Sequence, residues 1–284
     1  MFYGISNIVK YTFNMKKIMT LVALTLCLAT LAPEASGATK NEKNKTAIVA
    51  HRGFWNCEQA GKAKNSIAAL VQAQENGFWG SEFDVNMTSD AQLLVFHDSV
   101  IDGKSIEKNP ASTFDYYRLA NGEKIPTLDQ YLEQGAKSRT MLVLELKKHS
   151  CKEVEDKAVE LVIQKLREHN LLKKNRVMFI SFSINICREF ARLAPGFTVQ
   201  YLDDDLTPDQ VLEQGVNGID SHHKALKKNN FERLHQARKN AMSVNVWTVN
   251  KEEDMAPLIE AGVDQITTDQ PLLLRELLAG KELK

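Results

Sequence analysis

Apolar residues follow two alternating patterns along the chain from residue 46 onward. Short runs rich in β-branched residues are typical of buried strands, and longer stretches with apolar residues three and four positions apart are typical of amphipathic helices. The predicted strands are residues 46–50, 80–85, 93–97, 140–146, 176–181, 197–201, 217–220, 243–249 and 263–267. The predicted helices are residues 65–76, 126–136, 152–170, 184–193, 208–214, 228–239, 252–261 and 271–278. This alternation indicates βαβ units with parallel strands.

The short connection between the second and third predicted strands determines the topology. It consists of VNMTSDAQ at residues 85–92, whereas a parallel crossover needs about a dozen residues or more. The third strand is therefore predicted to fold back as a hairpin through the turn Thr88-Ser89-Asp90. Eight parallel strands remain, which predicts a (β/α)8 barrel. A doubly wound open sheet is the alternative, but no G-x-G-x-x-G sequence follows a predicted strand.

The N-terminal segment has the organisation of an export signal. Two lysines follow Met15, an apolar run covers residues 19–28, and the small residues ASGA occupy 35–38. Basic, apolar and small segments in this order predict a cleaved signal peptide over residues 1–38, with Met15 as the start. The apolar run is too short for a good transmembrane helix.

The remaining chain is predicted to be a single catalytic domain over residues 46–284, joined to the signal by the polar linker 39–45. We therefore expect an exported protein of the periplasm. A lipoprotein anchored through Cys27 is a less favoured alternative, because the preceding Leu26 is larger than lipidation sites prefer. Residues 99–125 have little periodicity and are predicted to form a short excursion over the barrel mouth.

Composition limits the classes of partner. Lys plus Arg and Asp plus Glu number 36 each, which gives a formal net charge of zero. No overall field therefore favours nucleic acid or an anionic membrane, and an anion must be recognised by local groups. Beyond the signal, Cys57, Cys151 and Cys187 are odd in number and lack C-x-x-C spacing, so the sequence does not predict a zinc or redox motif.

Carboxylates follow two of the predicted strands at the end where barrel enzymes place their active sites. Glu82 and Asp84 end the second strand, and Glu145 lies at the end of the next parallel one. Three converging carboxylates would repel one another unless they took up protons or bound a cation. Oxygen ligands without thiolates favour Mg²⁺ or Ca²⁺, so the three residues are predicted metal ligands.

Histidines and basic residues follow neighbouring strands. Arg52 and Lys147 are placed to bind phosphate oxygens, and His51 and His97 are placed to act as general base and general acid near neutral pH. Any one of these residues alone is more often structural than catalytic. Because all lie at neighbouring strand ends, together they predict a metal-assisted phosphodiester hydrolase.

The same residues belong to motifs spread over residues 46–271. The motifs are His51-Arg52-Gly53, Glu82-Phe83-Asp84-Val85, Thr88-Ser89-Asp90, His97-Asp98, Glu145-Leu146-Lys147, VNVWTVN at 244–250 and GVDQITTDQP at 262–271. In content and spacing they resemble the glycerophosphodiester phosphodiesterase family. The resemblance implies a phospholipase C-like (β/α)8 barrel with a small insertion after His97-Asp98.

The resemblance also implies a reaction. Family members use a divalent metal, commonly Ca²⁺ or Mg²⁺, to cleave deacylated phospholipids to glycerol 3-phosphate and an alcohol such as choline or ethanolamine. By this resemblance the chain takes a small-molecule glycerophosphodiester, with metal ligands, catalytic histidines and phosphate-binding residues as predicted above. Trp247 would offer an apolar face to the glycerol. One histidine would activate a glycerol hydroxyl and the other would protonate the leaving alcohol; the sequence does not assign the two roles.

One position departs from the family's pattern. Members usually read Pro-Glu-Asn-Thr at the start of the first helix, where this chain has Ala63-Lys64-Asn65-Ser66. Lys64 reverses the charge of the usual glutamate. This predicts either an altered rim that favours a more acidic or bulkier substrate, or merely a solvated loop residue. In the loop that precedes it, Phe54 or Trp55 is predicted to line the mouth.

Two other functions remain open on the sequence. A barrel phosphodiesterase acting on lysophospholipid or phosphoinositol head groups would present an apolar ridge near the mouth, for which Phe54, Trp55, Phe78 and Trp79 are the candidates. A non-catalytic exported binding protein would lack a carboxylate or histidine of the site, and none is missing. The sequence predicts no nucleic acid partner and no stable membrane insertion, and it leaves the oligomeric state undetermined.

Overall fold

Eight parallel strands close into a barrel in the computed structural model, which describes residues 46–280. The strands of the chain are β1 (Ala47–Ala50), β2 (Gly80–Met87), β3 (Leu93–Val95), β4 (Val100–Ile101), β5 (Lys104–Ser105), β6 (Met141–Leu146), β7 (Val177–Ser181), β8 (Val199–Tyr201), β9 (Gly218–His222), β10 (Ser243–Trp247) and β11 (Gln265–Thr268). The barrel strands pair in the order β1-β2-β6-β7-β8-β9-β10-β11, and β11 pairs with β1. The predicted (β/α)8 barrel is confirmed.

Helices connect the barrel strands on the outside. They are α1 (Ile67–Glu75), α2 (Leu128–Gly135), α3 (Lys152–Glu168), α4 (Ile184–Leu193), α5 (Pro208–Glu213), α6 (His223–Leu226), α7 (Glu232–Lys239), α8 (Glu252–Ala261) and α9 (Pro271–Leu278). Over residues 46–280, no helix is both long enough and apolar enough to cross a membrane. The predicted signal peptide and linker lie outside the described residues.

The predicted hairpin is present as β3, which pairs antiparallel with β2 outside the ring. The turn is held by Thr88, whose hydroxyl donates to Asp90 and accepts from the backbone N–H of Gln92 at 3.0 Å. The chain then leaves the barrel directly after His97-Asp98. The insertion contains the small β4–β5 hairpin and a 3-10 turn at Ala111–Phe114.

The insertion has a small apolar core of its own, which the lack of periodicity did not reveal. Ile106 and Phe114 are buried there against Leu94 of β3 and Ala63 of the loop before α1. These contacts fix the insertion to the hairpin, so that it forms a wall beside His97 at the barrel mouth.

Apolar residues form two layers because successive strand residues point to opposite sides. One layer lies between the strands and the helices and includes Phe83, Leu144 and Phe179. The second lies inside the barrel and includes Val143 and Ile180. The strands that fill this interior also direct polar residues into the mouth above it.

The predicted helix over residues 228–239 is wrong at its start. A short helix, α6, comes first, and Asn229, Asn230 and Phe231 then adopt left-handed backbone with φ of 48°, 54° and 62°. Such backbone cannot continue an α-helix, so α7 begins only at Glu232. The other predicted elements occur in the structure, with ends that differ by a few residues.

Candidate active site

Three carboxylates meet at the carboxyl ends of β2 and β6. Glu82 and Asp84 stand two residues apart on β2 and point to the same side, and Asp84 is the register partner of Glu145 on β6. One oxygen from each of the three residues lies within 4.8 Å of the others. The three residues are 2%, 1% and 7% exposed, in that order. The structure thus brings the predicted metal ligands together in a buried cluster.

The carboxylates of this cluster have strongly altered pKa values. Burial, followed by the charges of Asp84 and Glu145, raises the pKa of Glu82 well above its usual value. Burial and the charge of Asp84 raise the pKa of Glu145 to about 7. Burial also opposes ionisation of Asp84, but the charges of Lys147 and Arg52 outweigh it and lower the pKa of Asp84 to about 2.

The donor set fits a hard divalent cation. All three residues supply oxygen, which Mg²⁺ and Ca²⁺ prefer. Oε1 of Glu82 is buried and has no hydrogen-bond partner among the described residues. An orphaned carboxylate oxygen within a cluster of like charge is a natural position for a metal–oxygen bond. Glu82, Asp84 and Glu145 are therefore the residues that could hold a metal.

Asp84 is held by three side chains. Nδ2 of Asn65 donates to its Oδ2 at 2.8 Å, and Nε of Arg52 lies 3.4 Å from the same oxygen. Nζ of Lys147 lies 3.2 Å from Oδ1 of Asp84 and 2.5 Å from Oε1 of Glu145. The predicted phosphate-binding residues Arg52 and Lys147 thus lie directly on the carboxylate cluster.

A tight turn after β1 places Arg52. Both Arg52 and Gly53 have left-handed backbone, with φ of 54° and 76°. The N–H of Arg52 donates to Oε2 of Glu82 at 2.8 Å. A Cβ at Gly53 would lie 2.7 Å from Cβ of Ala69, so only glycine lets helix α1 approach this turn.

His51 contacts a carboxylate from the last barrel strand. Its Nδ1 lies 2.8 Å from Oδ1 of Asp269, and its Nε2 lies 3.9 Å from Oε2 of Glu82. Asp269 also accepts from Nε1 of Trp55 and Nδ2 of Asn250, each at 2.8 Å. Burial opposes ionisation of Asp269, but its contacts with His51, Trp55 and Asn250 together outweigh burial and lower the pKa of Asp269 to about 2. Nδ1 of His51 therefore carries a proton, and Nε2 faces the carboxylate cluster.

His97 follows the hairpin strand β3. Its Nδ1 is 2.6 Å from Oδ1 of Asp98, and its side chain is 40% exposed. Burial lowers the pKa of His97, an effect that the charge of Asp84 only partly offsets. The two histidines face a common cavity together with Glu82 and Glu145.

This cavity has a volume of about 130 Å³. Its apolar wall is formed by Ile180, Phe182, Leu202 and Trp247. The indole of Trp247 is fixed edge-on to Phe182, with ring centroids 5.4 Å apart. The predicted glycerol-contacting tryptophan therefore does line the cavity that contains the carboxylates and histidines.

The rim beside His51 carries the unusual lysine. Nζ of Lys64 lies 4.5 Å from the ring centroid of Trp55, within the range of a cation–π contact. Because the same indole donates to Asp269, Lys64 is connected through Trp55 to the partner of His51. Lys64 is exposed but has a definite contact on the rim.

An apolar ridge at the mouth is not formed by the residues proposed for it. Phe54 and Phe78 are buried and pack edge to face at 5.4 Å. Of the two residues predicted to line the mouth, Phe54 is therefore excluded, because its ring packs into the core beside α1. Trp55 is half-buried against Asp269, and of these four residues only Trp79 is exposed, at 39%.

Comparison with known proteins identifies the family. Residues 51–273 match the model of the glycerophosphoryl diester phosphodiesterase family. The chain belongs to this family. The resemblance drawn from the motifs and the predicted enzyme class are confirmed. The predicted roles of individual residues remain predictions.

Relatives of this family member match it over most of their length. A glycerophosphodiester phosphodiesterase from Caldanaerobacter subterraneus subsp. tengcongensis is 27% identical, and the match covers 82% of this chain and 98% of the relative. A crystal structure of a glycerophosphodiester phosphodiesterase from Parabacteroides distasonis is 39% identical, with a TM-score of 0.80, and the match covers 84% of this chain and 98% of the other.

A more distant solved structure shares the fold. It is an Oleispira antarctica phosphodiesterase in complex with the product sn-glycerol-3-phosphate, 22% identical with a TM-score of 0.69. The match covers 82% of this chain and 96% of the other.

Two side chains of this phosphodiesterase site were not predicted. Asp269 lies within the GVDQITTDQP motif, and the rule that barrel sites gather at strand ends would have selected it had it been applied to β11. Asp220 also lines the cavity, from within β9. Its surroundings in the sequence are ordinary, and only the closed barrel shows that it points inward.

Proposed function

We propose that this chain hydrolyses glycerophosphodiesters, such as glycerophosphocholine and glycerophosphoethanolamine, to sn-glycerol 3-phosphate and an alcohol. The observation that carries the proposal is the buried cluster of Glu82, Asp84 and Glu145 in contact with two cations and flanked by two histidines at one cavity. The activity for which the Parabacteroides distasonis relative is named, at 39% identity, supports the same reaction.

The proposed cofactor is one Ca²⁺ or Mg²⁺ ion held by Glu82, Asp84 and Glu145. Bound there, the ion would neutralise charge on the phosphate oxygens and lower the pKa of a nearby hydroxyl. Arg52 and Lys147 would bind the other phosphate oxygens, since both are positioned on the same carboxylates.

His51 is the proposed general base. Asp269 holds the proton of His51 on Nδ1, so that Nε2 is free to accept a proton from the attacking glycerol hydroxyl. The carboxylate then stabilises the imidazolium that forms, as an aspartate does in hydrolytic triads. The bonds from Trp55 and Asn250 keep Asp269 in position for this role.

His97 is the proposed general acid. It lines the same cavity as His51, and burial lowers its pKa, so that its protonated form gives up a proton more readily. In the protonated state it would donate this proton to the oxygen of the leaving alcohol, as the glycerol oxygen bonds to phosphorus and the bond from phosphorus to the alcohol oxygen breaks. Water would then open the resulting cyclic phosphate to sn-glycerol 3-phosphate, with His97 accepting the proton of the water and His51 returning its proton to the glycerol oxygen. The glyceryl group is assigned to the apolar wall that contains the buried Ile180 and Leu202, and the alcohol to the side of His97, whose side chain is 40% exposed.

The proposed activity is tested by hydrolysis of glycerophosphocholine, glycerophosphoethanolamine and glycerophosphoserine with Ca²⁺ or Mg²⁺, with and without chelator. We expect release of sn-glycerol 3-phosphate that stops when a chelator is added and resumes when the ion is restored. Absence of hydrolysis of all three diesters with either ion would refute the proposal.

We also propose that the protein acts after export to the periplasm. This rests on the basic, apolar and small-residue order of residues 1–38. N-terminal sequencing of the secreted protein tests it, with a mature end expected close to Gly37 or Ala38. Recovery of an uncleaved cytoplasmic chain would contradict it.

A further inference from the structure

Asp220, in the middle of β9, is a buried carboxyl that the proposed reaction does not use. The residue is 1% exposed. Its Oδ2 accepts a hydrogen bond from Nδ2 of Asn245 at 3.0 Å, and the same amide donates to Thr267 at 2.8 Å. Its Oδ1 is buried and has no hydrogen-bond partner in the part of the chain that the structure describes.

Asp220 belongs to the wall of the cavity that both histidines line. Asp220 lines this cavity together with Glu145 and Trp247. The indole N–H of Trp247 donates to the backbone carbonyl of Asp220 at 2.9 Å, which fixes the ring beside the carboxyl. Buried polar atoms are nearly always paired, so an orphan on a cavity wall indicates a place where a ligand completes the pairing.

The charge state of Asp220 limits the kind of ligand. Among residues 46–280, no Lys, Arg or His nitrogen lies within ion-pairing distance of this carboxyl. Burial raises the pKa of Asp220 well above its usual value, and the bond from Asn245 offsets this only in part. These surroundings favour the neutral form of the carboxyl, which has one O–H to donate and lone pairs to accept. An alcohol hydroxyl, which also donates and accepts, matches this group.

The rest of the cavity shows which part of a diester would reach Asp220. The carboxylates Glu82 and Glu145 line one part of it, where the proposed function places the phosphate. Ile180, Leu202 and Trp247 line the same cavity from β7, the end of β8 and β10, which are the strands on either side of β9 and Asp220. A short carbon chain attached to the phosphate would contact these apolar residues and bring a hydroxyl to the carboxyl.

We propose that Asp220 binds a hydroxyl group of the glyceryl moiety and thereby selects phosphate esters of polyols over those of plain alcohols. The inference rests on the proposed function for the identity of the polyol. Asp220 is a specificity-determining residue in this scheme. The Asn245–Thr267 pair positions its carboxyl by holding the other oxygen.

The test compares binding of two phosphate monoesters by calorimetry, using the full mature chain with saturating Ca²⁺ or Mg²⁺. One is sn-glycerol 3-phosphate; the other is propyl phosphate, which has the same three-carbon chain and phosphate but no hydroxyl. Wild type is expected to bind sn-glycerol 3-phosphate at least roughly tenfold more tightly than propyl phosphate. Propyl phosphate has no hydroxyl for Asp220, so its binding leaves the buried carboxyl unpaired.

The variants separate the role of the carboxyl from a structural one. In Asp220→Leu, the dissociation constant of propyl phosphate divided by that of sn-glycerol 3-phosphate is expected to fall to a value between about 1 and 2. In Asp220→Asn the amide keeps one donor and one acceptor, so most of the preference should remain. Asp203→Leu is the matched control, because it removes an exposed carboxyl after β8 that does not line the cavity. Asp220→Ala replaces the leucine variant if circular dichroism shows that the latter does not fold.

A wild-type ratio near one, or a leucine or alanine variant that keeps the wild-type ratio, would overturn the assignment. Because binding needs no turnover, the two proposals fail separately. A protein that shows this preference and hydrolyses no diester refutes the proposed function and keeps the role of Asp220. A protein that hydrolyses diesters but shows no preference refutes the role of Asp220 and keeps the proposed function.

Discussion

The two sides of the barrel mouth hold their polar residues in different ways. On the side of β1, β2 and β6, carboxylates lie against Arg52 and Lys147 in a dense cluster of charges. On the side of β9 and β10, Asp220 and Asn245 form a hydrogen-bonded pair beside Trp247, and burial favours the neutral form of the carboxyl. Charge is concentrated where the proposed function places the phosphate, and apolar and hydrogen-bonded groups line the part of the cavity that we assign to the polyol. Reactivity and selectivity are thus assigned to different strands.

The largest expected effect on activity is on the side of β1, β2 and β6, here called the charged side. His51→Ala removes the proposed base, and kcat for glycerophosphocholine should fall about 1,000-fold or more, within the range that general base catalysis contributes. The melting temperature should change little, since His51 lies at the end of a strand. His235→Ala, on the exposed face of α7, is the matched control. Near-normal turnover by the His51 variant would remove this residue from the mechanism.

Asp269→Asn tests the contact that joins the last strand to the charged side. The amide keeps the shape of Asp269 but cannot stabilise a protonated His51, so kcat should fall roughly 10- to 1,000-fold, less than for His51→Ala. Asn250→Ala, which removes only a support of Asp269, should cost less. Equal activity of Asp269→Asn and wild type would show that His51 works without this partner.

The charged side should also make the metal-free protein sensitive to pH. The folded-state pKa of Glu145, about 7, lies above the ordinary glutamate value of 4.5. Stability is therefore greatest below the ordinary value and falls as pH rises through about 7, by on the order of 2 kcal/mol. Thermal denaturation in chelator between pH 5 and 8 measures this fall. Glu145→Gln should flatten the profile, and an equally steep profile in that variant would contradict this origin.

The smallest expected effect is at the rim. Lys64→Glu places an acidic residue over Trp55 and should shift kcat/KM from glycerophosphoserine towards glycerophosphocholine by a few-fold, the scale of an exposed charge interaction. The ratio for the two substrates is the measurement, and Lys62→Glu, a nearby exposed lysine, is the control. An unchanged ratio would leave Lys64 as a solvated loop residue.

The sequence predicted the barrel because its signals are local and repeated. Helix α8 lies at residues 252–261 as predicted from its period, and the hairpin followed from a connection too short for a crossover. The left-handed backbone at Asn229–Phe231 was missed, because hydrophobic periodicity does not report a change of backbone hand.

The two sides of the mouth also differed in how far the sequence revealed them. Glu82, Asp84 and Glu145 were recognisable because charged residues at strand ends stand out from the apolar pattern. Asp220 follows an apolar residue inside a short strand, and its inward direction is defined only by barrel closure. The contact between His51 and Asp269 spans 218 positions of the chain, so it too depends on the pairing of β1 with β11.

Calorimetric titration of the metal-free protein with Ca²⁺ or Mg²⁺, with hydrolysis of glycerophosphocholine measured on the same samples, tests most directly whether the carboxylate cluster is the centre of the reaction. We expect one ion per chain, hydrolysis that rises in proportion to occupancy, and loss of both in Glu82→Gln. Full hydrolysis by the metal-free protein, or unchanged ion binding in Glu82→Gln, would contradict the account.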